Sequence, residues 1–468
     1  MSDLEVDVVV IGAGPVGENV ADRAHQQGLS AAIVESRLVG GECSYYACIP
    51  SKALLRPVDL YAATQRMPGV AQAVSGTVDA AKLLARRDEF AGEDDSGQAD
   101  WLSGAGITLL RGHGRLAGER AVEVTHADGT TTSVAARSVV VATGSVPVFP
   151  PVEGLDQVNA WTNQEATQVK EIPSSLVILG GGVVGVEMAT AFHGLGARVT
   201  LVQHSERLIP ATEPEAGRRL HASLTASGVD VRLSTSLTAV RREGGEVVAS
   251  LDDGTEVRAA ELLVAAGRRP ATSDLGLESV RLEPGTHLAA DDTTTVLGDW
   301  LYAVGDASTG AQLTHMGKYQ ARICGDVLVA RANGTPLGGR YSHHAATAEH
   351  TAVPQVIFTD PQVAAVGLTE AAAREAGLTV RAVSYELGSV AGASLQADGY
   401  DGFASIVVDT DRGVIVGATF VGQDVADMVH AATIAVVGEV PVERLWHAVP
   451  SFPTMSEVWL RLLETYGL

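Results

Sequence analysis

The chain has 468 residues, 46% of them hydrophobic and only 4% aromatic, with 51 glycines and a formal net charge of −23. At roughly 150 residues per domain that length predicts about three domains, each with apolar material for its own core. The 56 acidic side chains against 33 basic ones repel phosphate backbones and anionic lipid, so neither nucleic acid nor a membrane surface is an expected partner.

Abundant glycine with few aromatics suits an α/β protein full of tight turns better than an all-β sandwich. Three cysteines, Cys43, Cys48 and Cys324, are too few for a disulfide framework. The opening Met-Ser-Asp-Leu-Glu-Val-Asp carries no basic leader, and no apolar run reaches the length of a membrane span. The expected location is therefore the cytoplasm.

In chain order, Val8 to Ile11 is a continuous β-branched run, the pattern of a strand buried on both faces. Gly12-Ala13-Gly14-Pro15-Val16-Gly17 follows, then a helical stretch to about Gln27 and a second strand from Ala31 to Val34, ending at Glu35 and Ser36. In such a unit the first glycine allows the tight turn, the second lets backbone approach a pyrophosphate, and the third lets helix and strand pack closely. The helix start offers unpaired amides and partial positive charge to the phosphates. Glu35 is placed to hold a ribose hydroxyl pair. A surface acid that merely ends a strand is the plainer reading, and the preceding turn argues against it.

Next comes Gly40-Gly41-Glu42-Cys43-Ser44-Tyr45-Tyr46-Ala47-Cys48-Ile49-Pro50-Ser51-Lys52. Two cysteines so spaced at the start of a predicted helix are able to close a disulfide across its first turn. The helix terminus and Lys52 would favour thiolates there. Elsewhere in a cytosolic chain two cysteines are more often small buried hydrophobes, the reading kept for Cys324. The acidic segment from Ala91 to Gly104 is expected to be a solvated helix edge. Gly114 to Val141 alternates short strands around the turn Asp128-Gly129 and ends in Ala142-Thr143-Gly144.

The opening plan then returns: strand Leu176 to Leu179, Gly180-Gly181-Gly182-Val183-Val184-Gly185, a helix to about Leu195, and strand Arg198 to Val202. Strand Glu246 to Leu251, the turn Asp253-Gly254 and strand Leu262 to Ala265 complete this second unit near Gly267-Arg268-Arg269-Pro270. Trp300 to Val304, ending Gly305-Asp306, returns to the first domain. From about Thr351 strands mix with helices, with strands at Val356 to Thr359, Phe403 to Asp409 and Val414 to Val421 and a helix over Val425 to Val437. Two dinucleotide units in one chain point to a flavin reduced by a nicotinamide.

Together these motifs resemble the class I pyridine nucleotide-disulfide oxidoreductases, among them glutathione reductase, dihydrolipoamide dehydrogenase, mercuric reductase and soluble transhydrogenase. The resemblance spans essentially the whole chain, through to Val353-Pro354-Gln355-Val356-Ile357-Phe358-Thr359-Asp360-Pro361. It implies an α/β fold with two Rossmann-like dinucleotide-binding domains and a C-terminal α+β dimerisation domain. Residues 1–150 and 271–342 would form the FAD-binding domain, 151–270 the NAD(P)-binding domain, and 343–468 the interface of a homodimer.

Position by position, the resemblance implies FAD on Gly12, Gly14, Pro15, Gly17, Glu35, Ser36, Gly41, Glu42, Thr143, Gly144 and Asp306. Cys48 would lie next to the flavin, Cys43 would exchange with a substrate, and Lys52 would sit near the flavin and pair with Glu187. A buried cation there needs a counter-charge and stabilises the anionic reduced ring. Gly180, Gly182, Gly185, Gly267 and Arg268 belong to the nicotinamide side. There the strand ends at Gln203, where NAD-specific members carry an acid. Losing that acid removes repulsion toward a 2′-phosphate, which His204, Ser205 and Arg207 are placed to meet. NADPH is favoured, with NADH as the alternative. No metal site is expected.

Members that act on disulfides end with a His-Pro pair and a Glu that works with that His across the dimer. Here the run is Ser451-Phe452-Pro453-Thr454-Met455-Ser456-Glu457. Phe452 takes the histidine position and carries no proton, while Glu457 is kept. No cysteine follows Cys324, so the metal-passing pair of mercuric reductase is missing. Tyr45 and Tyr46 replace small residues between the cysteines. The expected activity is transfer of reducing equivalents from NAD(P)H to FAD, and from there to a redox-active Cys43–Cys48 pair or directly from the flavin to a small, quinone-like or other non-thiol acceptor. One alternative is a disulfide reductase with an unusual thiol substrate, in which His447, Tyr45 or water replaces the base. The other is a non-catalytic redox-sensing flavoprotein.

Overall fold

The first β-branched run forms strand β1 (Leu4–Ile11), the glycine turn leads into helix α1 (Pro15–Gln26), and strand β2 (Ala31–Glu35) pairs with β1 in parallel, Val8 opposite Ala31. Val8 to Ile11 are all buried, as a strand covered on both faces requires. On its other side β1 pairs in parallel with strand Thr131–Val141, which in turn pairs with Leu301–Ala303, the returning segment. The full order is Thr295–Leu297, Leu301–Ala303, Thr131–Val141, β1, β2 and Thr108–Arg111, with the hairpin of His113–Leu116 and Ala121–Thr125 attached to Thr131–Val141. Helix Thr314–Ala332 closes against α1, and it approaches so tightly that a Cβ on Gly325 would lie 2.6 Å from Arg23 Cγ.

The computed structural model describes residues 2–468. The chain forms two units, the first made of residues 2–49, 91–147 and 268–349 and the second of residues 50–90, 148–267 and 350–468. The second contains a parallel sheet in the order Asp230–Arg232, Arg198–Val202, Ser175–Leu179, Glu261–Val264, beside a three-stranded antiparallel sheet from Leu237 to Ala259. It also contains a five-stranded antiparallel sheet, in which Phe403–Asp409 and Val414–Gly422 are buried along their whole length. Helices Val429–Val437 and Val458–Tyr466 supply the apolar cover of that sheet. Among the described residues no helix is long and apolar enough to cross a membrane.

Two local expectations are corrected. The cysteines do not share one helix: Cys43 lies in helix α2 (Gly41–Tyr45), and Cys48 begins helix α3 (Cys48–Gln65) after a break at Tyr46 and Ala47. Pro50 has no N–H and suits the first turn of a helix, the place that a start at Cys48 gives it. The acidic segment is also broken, into the end of helix Ala80–Ala91 and a separate helix Ser96–Gly104. Between them Asp95 accepts the Val39 N–H at 2.7 Å and pairs with Arg111 at 2.6 Å, so this stretch ties the loop before the cysteines rather than merely facing solvent.

Candidate active site

In the first unit the turn after β1 is built by backbone crowding. Gly12 has φ +104, and a Cβ there would lie 2.5 Å from the Ala142 carbonyl; one on Gly17 would lie 1.9 Å from the Gly12 carbonyl. Gly14 is different, since its Cβ would meet only Gly41 Cα, at 3.9 Å, which leaves the mouth of the turn open. Gly14 also caps α1 without any side-chain hydrogen bond, so the helix amides remain available to an anion. Beside the turn is a cleft of about 300 Å³ lined by Gly12, Glu35, Ser36, His113, Thr143 and Arg269, among others. Thr143 Oγ1 is buried there with no hydrogen-bond partner. An open glycine turn, unsatisfied helix amides and an orphaned hydroxyl fit the adenosine diphosphate half of a flavin dinucleotide.

Glu35 accepts the Ala13 N–H at 2.8 Å through one oxygen and the Arg37 N–H at 2.7 Å through the other. Three further predicted residues are brought together by one that sequence reasoning missed. Ser145 donates to Asp306 at 2.5 Å and receives Arg268 Nε at 2.8 Å, while the same guanidinium pairs with Glu42. Arg268 thus belongs to the first unit, on a short strand (Arg268–Pro270) paired with Ser145–Pro147. The Gly305–Asp306 loop is held from behind, where Gln320 accepts the Gly305 N–H at 2.6 Å and itself donates to Glu349 at 2.9 Å.

Cys43 and Cys48 are both half-buried, and Cys48 Sγ lies 3.3 Å from Thr314 Oγ1. Hydrogen bonding to Cys48, burial, and the charge on Cys48 push the Cys43 thiol far up, opposed by Thr314 and Lys318. Tyr45 is buried, with its hydroxyl 3.4 Å from the Asp94 carbonyl, and burial followed by Asp95 and Glu18 pushes it up to about 12. Tyr45 therefore remains a phenol at neutral pH and is unsuited to replace a missing base.

In the second unit Lys52, one turn along α3 from its start, donates to Glu187 at 2.7 Å. Glu187 is only 3% exposed, and its other oxygen accepts the Phe358 N–H at 2.9 Å, with the Phe358 ring 5.0 Å from the ammonium. The second glycine turn repeats the first. A Cβ on Gly180 would lie 2.3 Å from the Ala265 carbonyl and one on Gly185 1.8 Å from the Gly180 carbonyl, while at Gly182 nothing lies within 4 Å. Gln203 is buried, accepting the Gly181 N–H at 2.8 Å and directing its amide toward the Arg207 carbonyl at 3.4 Å. His204 is exposed, hydrogen-bonded at 3.3 Å to the half-buried Ser205, and half-buried Arg207 donates to the Pro210 carbonyl at 3.3 Å. Gly144 and Gly267 are turn glycines, with φ +73 and +119.

Residues 6–321 match the pyridine nucleotide-disulphide oxidoreductase family, and residues 353–462 match the dimerisation domain of the same family. The chain belongs to this family. It is 33% identical to a mercuric reductase of Streptomyces lividans, over 98% of this chain and 96% of that one. It is equally 33% identical to dihydrolipoyl dehydrogenase 3 of Pseudomonas aeruginosa, over 96% of each. The crystal structure of LpdA from Mycobacterium tuberculosis has the same fold, with a TM-score of 0.85 at 24% identity over 99% of this chain and 100% of that one. The protein is thus an oxidoreductase of a family that uses FAD and a pyridine nucleotide and carries its own dimerisation domain.

Against that family pattern the C-terminal segment departs in side-chain chemistry. Phe452 is 76% exposed. Glu457 is buried, pairs with Arg461 at 2.7 Å and accepts the Ala391 N–H at 3.3 Å. Its carboxylate is satisfied within its own domain. His447 is exposed, just beyond the short helix Val442–Leu445. Ser145, Thr314, Lys318 and Glu18 are site neighbours that sequence reasoning missed. Only the spacing of Thr314 and Lys318, one turn apart on the helix after Gly305-Asp306, offered a signal.

Proposed function

We propose that this family member is an NAD(P)H oxidoreductase that passes reducing equivalents to a small, quinone-like or other non-thiol acceptor in the cytoplasm, working as a homodimer. Gly12, Gly14, Pro15, Gly17, Glu35, Ser36, Gly41, Glu42, Thr143, Gly144 and Asp306 would hold FAD, with Arg268 fixing Glu42 and Ser145. Gly180, Gly182, Gly185 and Gly267 would seat the nicotinamide cofactor. Gln203 presents no charge to a 2′-phosphate, and His204, Ser205 and Arg207 stand beside it, which favours NADPH. When bound, FAD supplies hydride acceptance and two-electron delivery. The chain supplies Lys52 with its buried counter-ion Glu187, and the Cys43–Cys48 pair as an electron store.

The observation that carries the reading is the state of the C-terminal segment. Phenylalanine stands where disulfide-acting members have a protonatable ring, and Glu457 is already neutralised by Arg461. A thiol leaving group without an acid–base partner departs slowly. The names of the relatives divide between a metal ion and a dithiol as substrates, so they do not choose the acceptor. Steady-state turnover of Cys43→Ser decides. On this reading quinone reduction survives the substitution, with kcat within about threefold of wild type, since a non-thiol acceptor does not exchange with Cys43. Efficient turnover of lipoamide or glutathione disulfide that vanishes in Cys43→Ser would instead establish a disulfide reductase.

A further inference from the structure

Glu18 is a buried titratable group with no part in the reading above. It lies in the first turn of α1, next to Gly17, and its Oε1 is buried without a hydrogen-bond partner. An unpartnered carboxylate oxygen in such a place is costly unless a cation answers it. The nearest source of positive charge is helix Thr314–Ala332, whose Lys318 lowers the Glu18 carboxyl. A Cβ on Gly317 would lie 2.6 Å from Val16 Cγ2, so this helix presses on the first turn of α1 just where Lys318 follows. One turn earlier on the same helix, Thr314 touches the Cys48 sulfur at 3.3 Å.

Lys318, four residues on from Thr314, lies on the same face of that helix, and its charge opposes the upward shift of both Glu18 and Cys43. Around Glu18 stand Lys318 from helix Thr314–Ala332, Glu35 from β2 and Tyr45 from α2. Around Cys43 stand Cys48, Thr314 and Lys318. One turn of this helix thus lies beside two groups able to carry negative charge. Only one of them changes charge when the sulfurs are reduced.

We propose that Lys318 is a positioning residue for the Cys43–Cys48 pair, its ammonium meeting the negative charge of the reduced pair and answering Glu18 when the sulfurs are joined. Two electrons from the reductant break the S–S bond. One proton goes to Cys43, and Cys48 is left as the thiolate. That new charge draws on Lys318, and Glu18 compensates by taking up a proton from solvent. The inference rests on the redox role proposed for the pair.

The test reduces the holoenzyme with dithiothreitol, removes the reductant, and alkylates with iodoacetamide from about pH 6 to about pH 9, counting modified Cys43 and Cys48 peptides by mass spectrometry. Lys318→Met moves the alkylation midpoint up by about one pH unit, slowing the reaction about tenfold at pH 7. Lys318→Arg restores the wild-type profile, and Glu18→Gln moves the midpoint down. Superimposable profiles for wild type, Lys318→Met and Glu18→Gln overturn the proposal. If Lys318→Met fails to retain FAD, an unmoved Glu18→Gln profile overturns it alone. Counting thiols after NADPH instead of dithiothreitol separates the two readings: no new thiols from NADPH removes the redox role of the pair, while the Lys318 shift in the chemically reduced pair still stands.

Discussion

In the first nucleotide turn Glu35 accepts the Ala13 N–H at 2.8 Å, and in the second Gln203 accepts the Gly181 N–H at 2.8 Å. Both turns jam a first glycine against a neighbouring strand's carbonyl and a third glycine against the first, and both leave the middle glycine open. The strand-end side chain is therefore needed in each as an acceptor that fixes the turn, and its charge is the part left to vary. On the proposed reading, the carboxylate would hold ribose hydroxyls in the first turn and the amide would tolerate a phosphate in the second. The residue after the third glycine differs too. Val186 is fully buried, whereas at the same point in the first turn Glu18 is a carboxyl that burial raises to about 7, against Lys318 and with Glu35 adding to the rise.

Substitutions in the two turns sharpen that contrast. Gly185→Val puts a side chain where even a Cβ would lie 1.8 Å from the Gly180 carbonyl. The purified protein is expected to stay yellow while its reduction by NADPH in stopped flow slows at least about 100-fold, because close approach of the nicotinamide cofactor needs that glycine. Gly17→Val is expected to lose FAD itself. Equal loss of FAD in both variants would break the assignment of separate cofactors to the two turns.

Removing Lys52 is next in size. Lys52→Met leaves Glu187 with a backbone N–H and no cation, at 4% side-chain exposure. Losing one partner of a buried pair costs about 3–5 kcal/mol, reduced here to about 2–3 because the lysine is a third exposed, and this is read as a lower denaturant midpoint. Glu187→Gln, which leaves no orphaned charge in the core, is expected to cost less.

Glu18 gives a pH-dependent effect that Val186 lacks. Its folded value near 7 lies above the ordinary 4.5, so its contribution to stability is whole below the lower value and lost as pH rises through the upper one. Glu18→Gln should therefore be more stable than wild type at pH 8, by about 2 kcal/mol, and equal to it near pH 4. Identical unfolding curves at pH 8 would place the carboxyl in solvent. Smallest is the charge swap in the second turn. Gln203→Glu keeps the acceptor for Gly181 and should lower the NADPH-to-NADH ratio of kcat/KM about tenfold.

Both nucleotide turns were legible in the sequence because glycine spacing records backbone collisions directly. Strands Arg198–Val202, Glu246–Leu251 and Phe403–Asp409 were equally plain, their branched and alternating patterns bounded by turns. The break between the cysteines was not read, although Pro50 marked it, because Ser44 to Ala47 contain no residue that forbids a helix. The chain Glu42–Arg268–Ser145–Asp306 contains single links of up to 226 positions, and no local pattern connects them. Lys318 and Glu18 meet through the packing of two helices, which periodicity alone does not align. The pairing of Lys52 with Glu187 was anticipated only through the family resemblance.

The proposed electron path runs from NAD(P)H to a flavin wired to Cys43 and Cys48. It is tested most directly by anaerobic titration of the holoenzyme with NADPH, following the flavin spectrum and counting thiols. Full reduction is expected to take two hydride equivalents per subunit, with a long-wavelength thiolate-to-flavin band and two new thiols. Bleaching complete at one equivalent, with no such band and no new thiols, would contradict it and leave the cysteine pair outside the electron path.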